Sequence, residues 1–188
     1  MKKYLLVVVT LMVLGVNSAS AQAVWGGRIG VSVPLVSGDG GSLTGKYGLE
    51  LGPVMYYHLQ GNWYINTAAM FSIKSFDGIM EYDYYGNYYE TTLNMYYITV
   101  PVYAGYSFPV GKVSLYAQAG PYFGYKLSES DYSGLKSFDA GLAVMLGINL
   151  NRFKIEIGTQ QGLINDLDDT SYGSVHLGSA FLGVSYVF

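Results

Sequence analysis

The last fifteen residues, SVHLGSAFLGVSYVF from Ser174 to Phe188, restrict the fold of this chain more than any other stretch. Counting back by twos from the end gives Phe188, Tyr186, Val184, Leu182 and Ala180, all apolar. The residues between them, Val187, Ser185, Gly183, Phe181 and Ser179, are smaller and mixed. A period of two marks a strand with two different faces. In water, such a strand ending on an aromatic is a sticky edge. In an outer-membrane barrel it is the closing strand, with its apolar face in lipid and its last aromatic at the interface.

Composition agrees. Only 12% of the 188 residues are charged, and mean hydropathy is +0.24. Past the N-terminus, however, no apolar run approaches the roughly 18 residues of a membrane helix. An apolar chain without membrane helices points to the other spanning solution, a closed barrel. The 25 glycines disfavour helix interiors, and the 20 tyrosines favour strands and membrane interfaces. There is no cysteine, hence no disulfide, Cys-ligated metal or lipidated N-terminal Cys; no cofactor is expected.

Lys2 and Lys3, the apolar run Tyr4 to Val16 and the small-residue pattern Ala19-Ser20-Ala21 read as a signal peptide over residues 1–21. The mature domain is then 22–188, with a cut after Ala23 as second choice. Removing two lysines leaves 8 basic and 13 acidic residues, a formal charge of −5. That argues against nucleic acid as a partner.

Eight strands follow, at Val24–Val33, Tyr47–Leu59, Trp63–Phe76, Leu93–Phe108, Val113–Lys126, Ser137–Leu150, Phe153–Ile164 and Ser174–Phe188. Their connections alternate. Gln60–Asn62, Pro109–Lys112 and Asn151-Arg152 are short; Pro34–Lys46, Asp77–Thr92, Leu127–Lys136 and Asn165–Gly173 are long. The expected fold is all-β, an eight-stranded antiparallel up-and-down transmembrane β-barrel with tight periplasmic turns and longer external loops. One face of every strand carries no charge, as in Phe138, Leu142, Val144, Leu146, Ile148 and Leu150. Aromatics gather at its two ends: Trp25, Tyr57, Trp63, Phe108, Phe153 and Phe188 at one level, Tyr47, Tyr96, Tyr125 and Phe138 at the other. Those are two interfacial girdles.

The opposite face carries Arg28, Glu50, Lys74, Lys126, Asp139, Lys154 and Glu156, with Tyr56, Tyr64, Tyr97, Tyr103, Tyr116 and Tyr122. An eight-stranded barrel is just wide enough for side chains to fill it. Glycines make room for the tyrosines, and the nearly balanced charges pair. Arg28 with Glu156 is expected to form one layer, and Glu50, Lys74, Lys126 and Asp139 a second. Pro53, Pro101 and Pro121 fall inside strands, where each removes a ladder hydrogen bond. Bulges or register slips are expected there.

From Leu93 onward the chain resembles the PorT-like outer-membrane β-barrel proteins. LNMYYITVPVYAGYSF is similar to their "Y-L-x-I-P-L-L-x-x-Y" strand, and SLYAQAGPYFGYKLS to their "AGPYxGYLLS" strand. SFDAGLAVMLGINL resembles a "D-x-G-x-x-x-G-x-G" strand, with Met145 at one usual glycine. IEIGTQQGLINDLDD resembles a "Y-x-x-GLxNI" segment, with Gln160 and Gln161 in less usual places. The Ala119-Gly120-Pro121-Tyr122 cluster is the most specific part. The resemblance implies a barrel fold and an outer-membrane location, makes Pro101 and Pro121 family features, and implies no single activity: members are commonly labelled porin-like, and some serve protein secretion.

Catalysis has little to work with. A barrel hydrolase needs a His beside an acid or Ser at the external rim. Of the two histidines, His58 sits at the periplasmic end, and His176 shares the outward parity of Phe188. Its neighbours in sequence, Asp166, Asp168 and Asp169, are weak metal candidates without EF-hand spacing. Ten of the thirteen acids lie in the long connections. The segment Glu81, Tyr82, Asp83, Tyr84, Tyr85, Tyr88, Tyr89, Glu90 interleaves acids with tyrosines, a composition suited to protein contacts. The expectation is a non-enzymatic, monomeric outer-membrane protein with a structural or surface-interaction role. Its partners are membrane lipids, lipopolysaccharide and, through the loops, envelope or extracellular proteins. A narrow porin is the alternative, and an enzyme acting on lipid or peptide the second alternative.

Overall fold

The computed structural model describes residues 23–38, 44–82, 88–129, 136–164 and 175–188; for 78–82, 88–91 and 129 it describes the backbone alone. The segment 1–21 read as a signal peptide lies outside the described residues. Nine strand segments are present: β1 (Ala23–Gly38), β2 (Thr44–His58), β3 (Trp63–Ala68), β4 (Met70–Tyr82), β5 (Tyr88–Val110), β6 (Val113–Glu129), β7 (Phe138–Leu150), β8 (Phe153–Gly162) and β9 (Val175–Val187). β3 and β4 are one strand interrupted at Ala69, so the ring has eight members. All pairings are antiparallel, and β9 returns to β1 from Gly26 opposite Val187 to Gly38 opposite Val175. No edge is left open, which a chain in hydrocarbon requires.

The three described short turns lie at one end. Gly61, Gly111 and Asn151 there hold φ of 69°, 61° and 58°. Gly111-Lys112 and Asn151-Arg152 are two-residue turns closed by the pairs Val110–Val113 and Leu150–Phe153. A left-handed first turn residue suits a tight hairpin, and Gly and Asn are the residues that adopt it at least cost.

The prolines correct the sequence expectation: no bulge forms at them. Pro53 and Pro101 flank the Ala68-Ala69 step from its two sides. Pairing on either side of Ala69 keeps one register, with Val54 opposite Ala68 and Leu51 opposite Phe71 on β2, and with Thr67 opposite Val102 and Met70 opposite Thr99 on β5. Two missing N–H groups on neighbouring strands therefore open the ladder at one residue without slipping it. Ala69 N still donates to Pro53 O at 3.1 Å, and Thr67 Oγ1 to Pro101 O at 2.8 Å. Pairing across Pro121 also resumes in the same register. The register shifts lie near the long-loop end, between Gly45 and Tyr47, Phe76 and Ile79, and Tyr96 and Tyr97. Three of the four long connections are also shorter than expected, and the last, 163–174, is longer. The β4–β5 hairpin is paired as far as Tyr82 opposite Tyr88, so most of Asp77–Thr92 is ladder and not loop.

The two faces follow the period-two pattern. Leu146 is 57% exposed and its neighbour Met145 is 1% exposed. Between the girdles no charged side chain is exposed among the described residues. The girdle at the short turns holds two linked sets of rings: Trp63 to Tyr106 at 5.0 Å and Tyr106 to Phe108 at 4.7 Å, and Phe153 to Tyr186 at 5.1 Å and Tyr186 to Phe188 at 5.8 Å.

Candidate functional site

The inner face holds the charges that the outer face lacks. Arg28, Glu50, Lys74, Lys126, Asp139 and Glu156 are buried in the bore, and Lys154 is half-buried at its short-turn end. Arg28 Nε lies 2.8 Å from Glu156 Oε1. The contact is an ion pair, since the Nε–H is not aligned as a hydrogen-bond donor. β9 lies between the two residues, and Gly183 is the reason they can meet. A Cβ built there would stand 3.1 Å from Arg28 Nε and 3.5 Å from Glu156 Cγ.

Glu156 is met by two hydroxyls as well. Tyr116 Oη donates to its Oε2 at 2.8 Å and Ser185 Oγ to its Oε1 at 3.2 Å. Tyr116 reaches that point because Gly147, opposite it on β7, has no side chain to block the ring. Below Glu156, Lys154 Nζ stands over three rings, 4.1 Å from the centroid of Tyr56, 4.9 Å from Tyr116 and 5.5 Å from Tyr64. Ring faces carry negative potential, so the cage stabilises the ammonium where water is scarce. Above the pair, the Arg28 guanidinium stacks 5.0 Å over Phe181 and donates to Met145 Sδ at 3.7 Å. Gln118 Nε2 donates to the same sulfur at 3.1 Å.

Of the two charged layers expected from the sequence, the first holds the ion pair of Arg28 and Glu156, and Glu50, expected in the second with Lys74, Lys126 and Asp139, shares the lining of one void with Arg28. Lys154 is two residues from Glu156 on the same face of β8, Glu50 is diagonal to Arg28 across β1–β2 and to Lys74 across β2–β4, and Lys126 is diagonal to Asp139 across β6–β7. From Lys154 through Glu156, Arg28 and Glu50 to Lys74 the signs alternate, and Lys126 with Asp139 adds one charge of each sign. Lys74 also stands 5.1 Å over the Tyr97 ring. The void shared by Arg28 and Glu50 measures about 10 Å³ and is also lined by Ser72, Thr99, Tyr103 and Gln160 among others; it has room for roughly one water.

The bore is stoppered at the long-loop end by a cluster that the sequence reading missed. Phe76, Leu93, Met95, Tyr97, Val175 and Leu177 pack together, each 3% exposed or less. Their inward parity is readable in the sequence; their meeting across the bore is not.

Outside the upper girdle, Asp77 accepts from Thr92 Oγ1 at 2.7 Å and from Lys46 Nζ at 3.3 Å. These bonds, Thr92 first, hold its carboxyl below the usual carboxylate range. His176 Nδ1 lies 3.0 Å from the carbonyl of Ile164. Of the surface segment, Glu81, Tyr82, Tyr88, Tyr89 and Glu90 lie on the extended β4–β5 hairpin. Asp83, Tyr84, Tyr85, Asp166, Asp168 and Asp169 lie outside the described residues. Among the described residues no cluster of three His, Asp or Glu side chains could hold a metal.

An eight-membered antiparallel ring with a lipid-facing wall, two aromatic girdles and a polar bore defines an integral outer-membrane barrel. The chain belongs to the outer membrane protein beta-barrel domain family, whose model matches residues 15–168. It is an outer-membrane protein. Its fold is similar to that of Neisserial surface protein A, at 15% identity and a TM-score of 0.53, covering 89% of this chain and 99% of that one. It is also similar to Ail, the attachment invasion locus protein of Yersinia pestis (19% identity, TM-score 0.45, 89% and 99% covered). A third likeness is to the N-terminal barrel domain of Pseudomonas aeruginosa OprF (13% identity, TM-score 0.39, 86% and 97% covered). At these identities the likeness speaks to fold alone. Among curated proteins, none matches this sequence.

Proposed function

We propose that this protein is a sealed, non-catalytic barrel of the PorT-like type, with its short turns in the periplasm. Its work is done by its surfaces: the outer wall in lipid, and the acidic, tyrosine-rich end that meets lipopolysaccharide and protein partners outside the cell. It acts as a monomer. The observation that carries this reading is the run of alternating inward charges from Lys154 to Lys74 around the Arg28–Glu156 pair, capped by Phe76 and Leu93. Buried charges that are paired and wrapped in this way leave no continuous water path for an ion. A catalytic reading finds no support in the contact of the rim histidine, His176 Nδ1 with the carbonyl of Ile164.

The test is conductance. The purified full-length mature chain in a planar bilayer is expected to show no steady current, only small and rare openings. A stable, large, open channel would replace this reading with that of a narrow porin. Protease added to intact cells is expected to cut within Asp77–Thr92 and to spare Gln60–Asn62. Cutting only after the cells are opened reverses the topology.

A further inference from the structure

The outer wall is not uniformly filled. In the register row Tyr106, Ala117, Leu146, Ile157, Leu182, the second position on β6 is a small residue between large ones. The row nearer the short turns, Phe108, Leu115, Ile148, Ile155, has no such gap. The result is a groove of about 550 Å³ on the lipid face, apolar almost throughout and bounded by Phe108, Leu115, Leu146, Ile148 and Ile157. Its volume is in the range of sites that hold one small ligand. Below it lie two turns. Lys112 is three residues from Leu115, and Arg152 three residues from Ile155, about 10 Å along the strand in each case. Continuing the β6–β7 register from Ser114 opposite Asn149 brings Lys112 level with Asn151, the residue before Arg152.

Both cations are exposed, and neither has an ion pair among the described residues. Arg152 is held at the interface by its Nη1, which donates to Tyr186 Oη at 3.3 Å. The side-chain charges of the short turns are all basic. The three short turns contain no acid, whereas ten of the thirteen acids lie in segments that join or flank the strands at the other end. A membrane-embedded apolar groove that ends between two unpaired cations matches one chemistry: an acyl chain attached to an anionic headgroup.

We infer that this groove, with Lys112 and Arg152, binds one anionic phospholipid from the leaflet at the short-turn end. The acyl chain lies over Ala117, and the phosphate sits between the two cations. Bulk lipid would solvate any apolar wall; the fixed positive pair is what makes this position selective. Attraction to an anionic headgroup near the surface is worth about a five-fold change in affinity for each Lys or Arg.

The test uses the mature chain in bilayer discs of equal phosphatidylglycerol and phosphatidylcholine, released for native mass spectrometry of retained lipid. One phosphatidylglycerol is expected to be retained in preference to phosphatidylcholine. Lys112→Gln and Arg152→Gln should each weaken that preference about five-fold, and the double variant roughly 25-fold. Lys46→Gln, at the other end, should leave it unchanged. Ala117→Leu, which fills the groove from a lipid-facing position, should reduce retention with both cations present. Far-ultraviolet circular dichroism checks that each variant keeps its strands. Equal retention of the two lipids overturns the inference, as does a preference untouched by the double variant. Displacement of the lipid by glycerol phosphate as readily as by phosphatidylglycerol would mean headgroup binding alone, and also overturns it.

Discussion

The two ends of the bore are closed by different physics. At the short-turn end a carboxylate, Glu156, is met by Arg28, Tyr116 and Ser185, with Lys154 caged beneath it. At the long-loop end, Phe76, Leu93, Met95, Val175 and Leu177 shut the same bore with no charge among them. A buried charge is costly unless it is paired and hydrogen-bonded. An apolar contact has no such condition and depends on volume alone. The first closure should therefore fail sharply when one member is removed, and the second gradually.

Glu156→Ala is the largest expected perturbation. It leaves Arg28 buried without its partner and strips the acceptor from Tyr116, and should cost about 3–5 kcal/mol in urea unfolding from lipid vesicles. Glu156→Gln, which keeps an acceptor oxygen, should cost less. A loss for Glu156→Ala no greater than for a surface substitution would end the comparison. Leu93→Ala tests the apolar closure and should cost at least about 2 kcal/mol through lost packing and a residual cavity. Its effect should add to that of Glu156→Ala, because the two clusters share no described partner.

Leu146→Arg tests the wall and not the bore. It should cost about 2–4 kcal/mol near mid-membrane. The smallest effect is at the rim. The Asp77 carboxyl is held low by Thr92 and Lys46, so its contribution is present above the ordinary carboxylate range and is lost as pH falls through the lowered value. Hydrogen exchange of the Thr44–Asp77 and Phe76–Leu93 amides should therefore speed up on acidification. Asp77→Asn should lack that acid-dependent part. Exchange with the same pH profile in the variant would remove Asp77 as the cause.

Much of this was legible before the structure. Strand faces come from a period of two, and a period survives errors of a few residues in strand ends. Hence Leu146 reads as outward and Met145 as inward, although β1 runs on to Gly38 and β9 begins at Val175. What sequence withheld is height along the barrel axis. Lys154 over Tyr56, Tyr64 and Tyr116 joins four strands, and Phe76, Leu93 and Val175 meet across the bore. Both depend on strand stagger, which no single strand encodes. Glu50, expected in an upper layer with Lys74, is diagonal to Arg28 as well as to Lys74 for the same reason. The proline expectation failed for a local reason. Each proline was weighed alone, and only pairing shows that Pro53 and Pro101 flank one step and leave one gap.

The most direct test of a filled bore uses the absence of cysteine. Single cysteines at 145 and 146, introduced as Met145→Cys and Leu146→Cys, are placed in the folded protein in vesicles. They are challenged with a water-soluble charged maleimide and, after spin labelling of a parallel sample, with a lipid-soluble quencher. Position 145 is expected to resist the maleimide from both sides of the membrane, and position 146 to be open to the lipid-soluble quencher. Rapid labelling of position 145 by the charged maleimide would show water in the bore and contradict the sealed barrel.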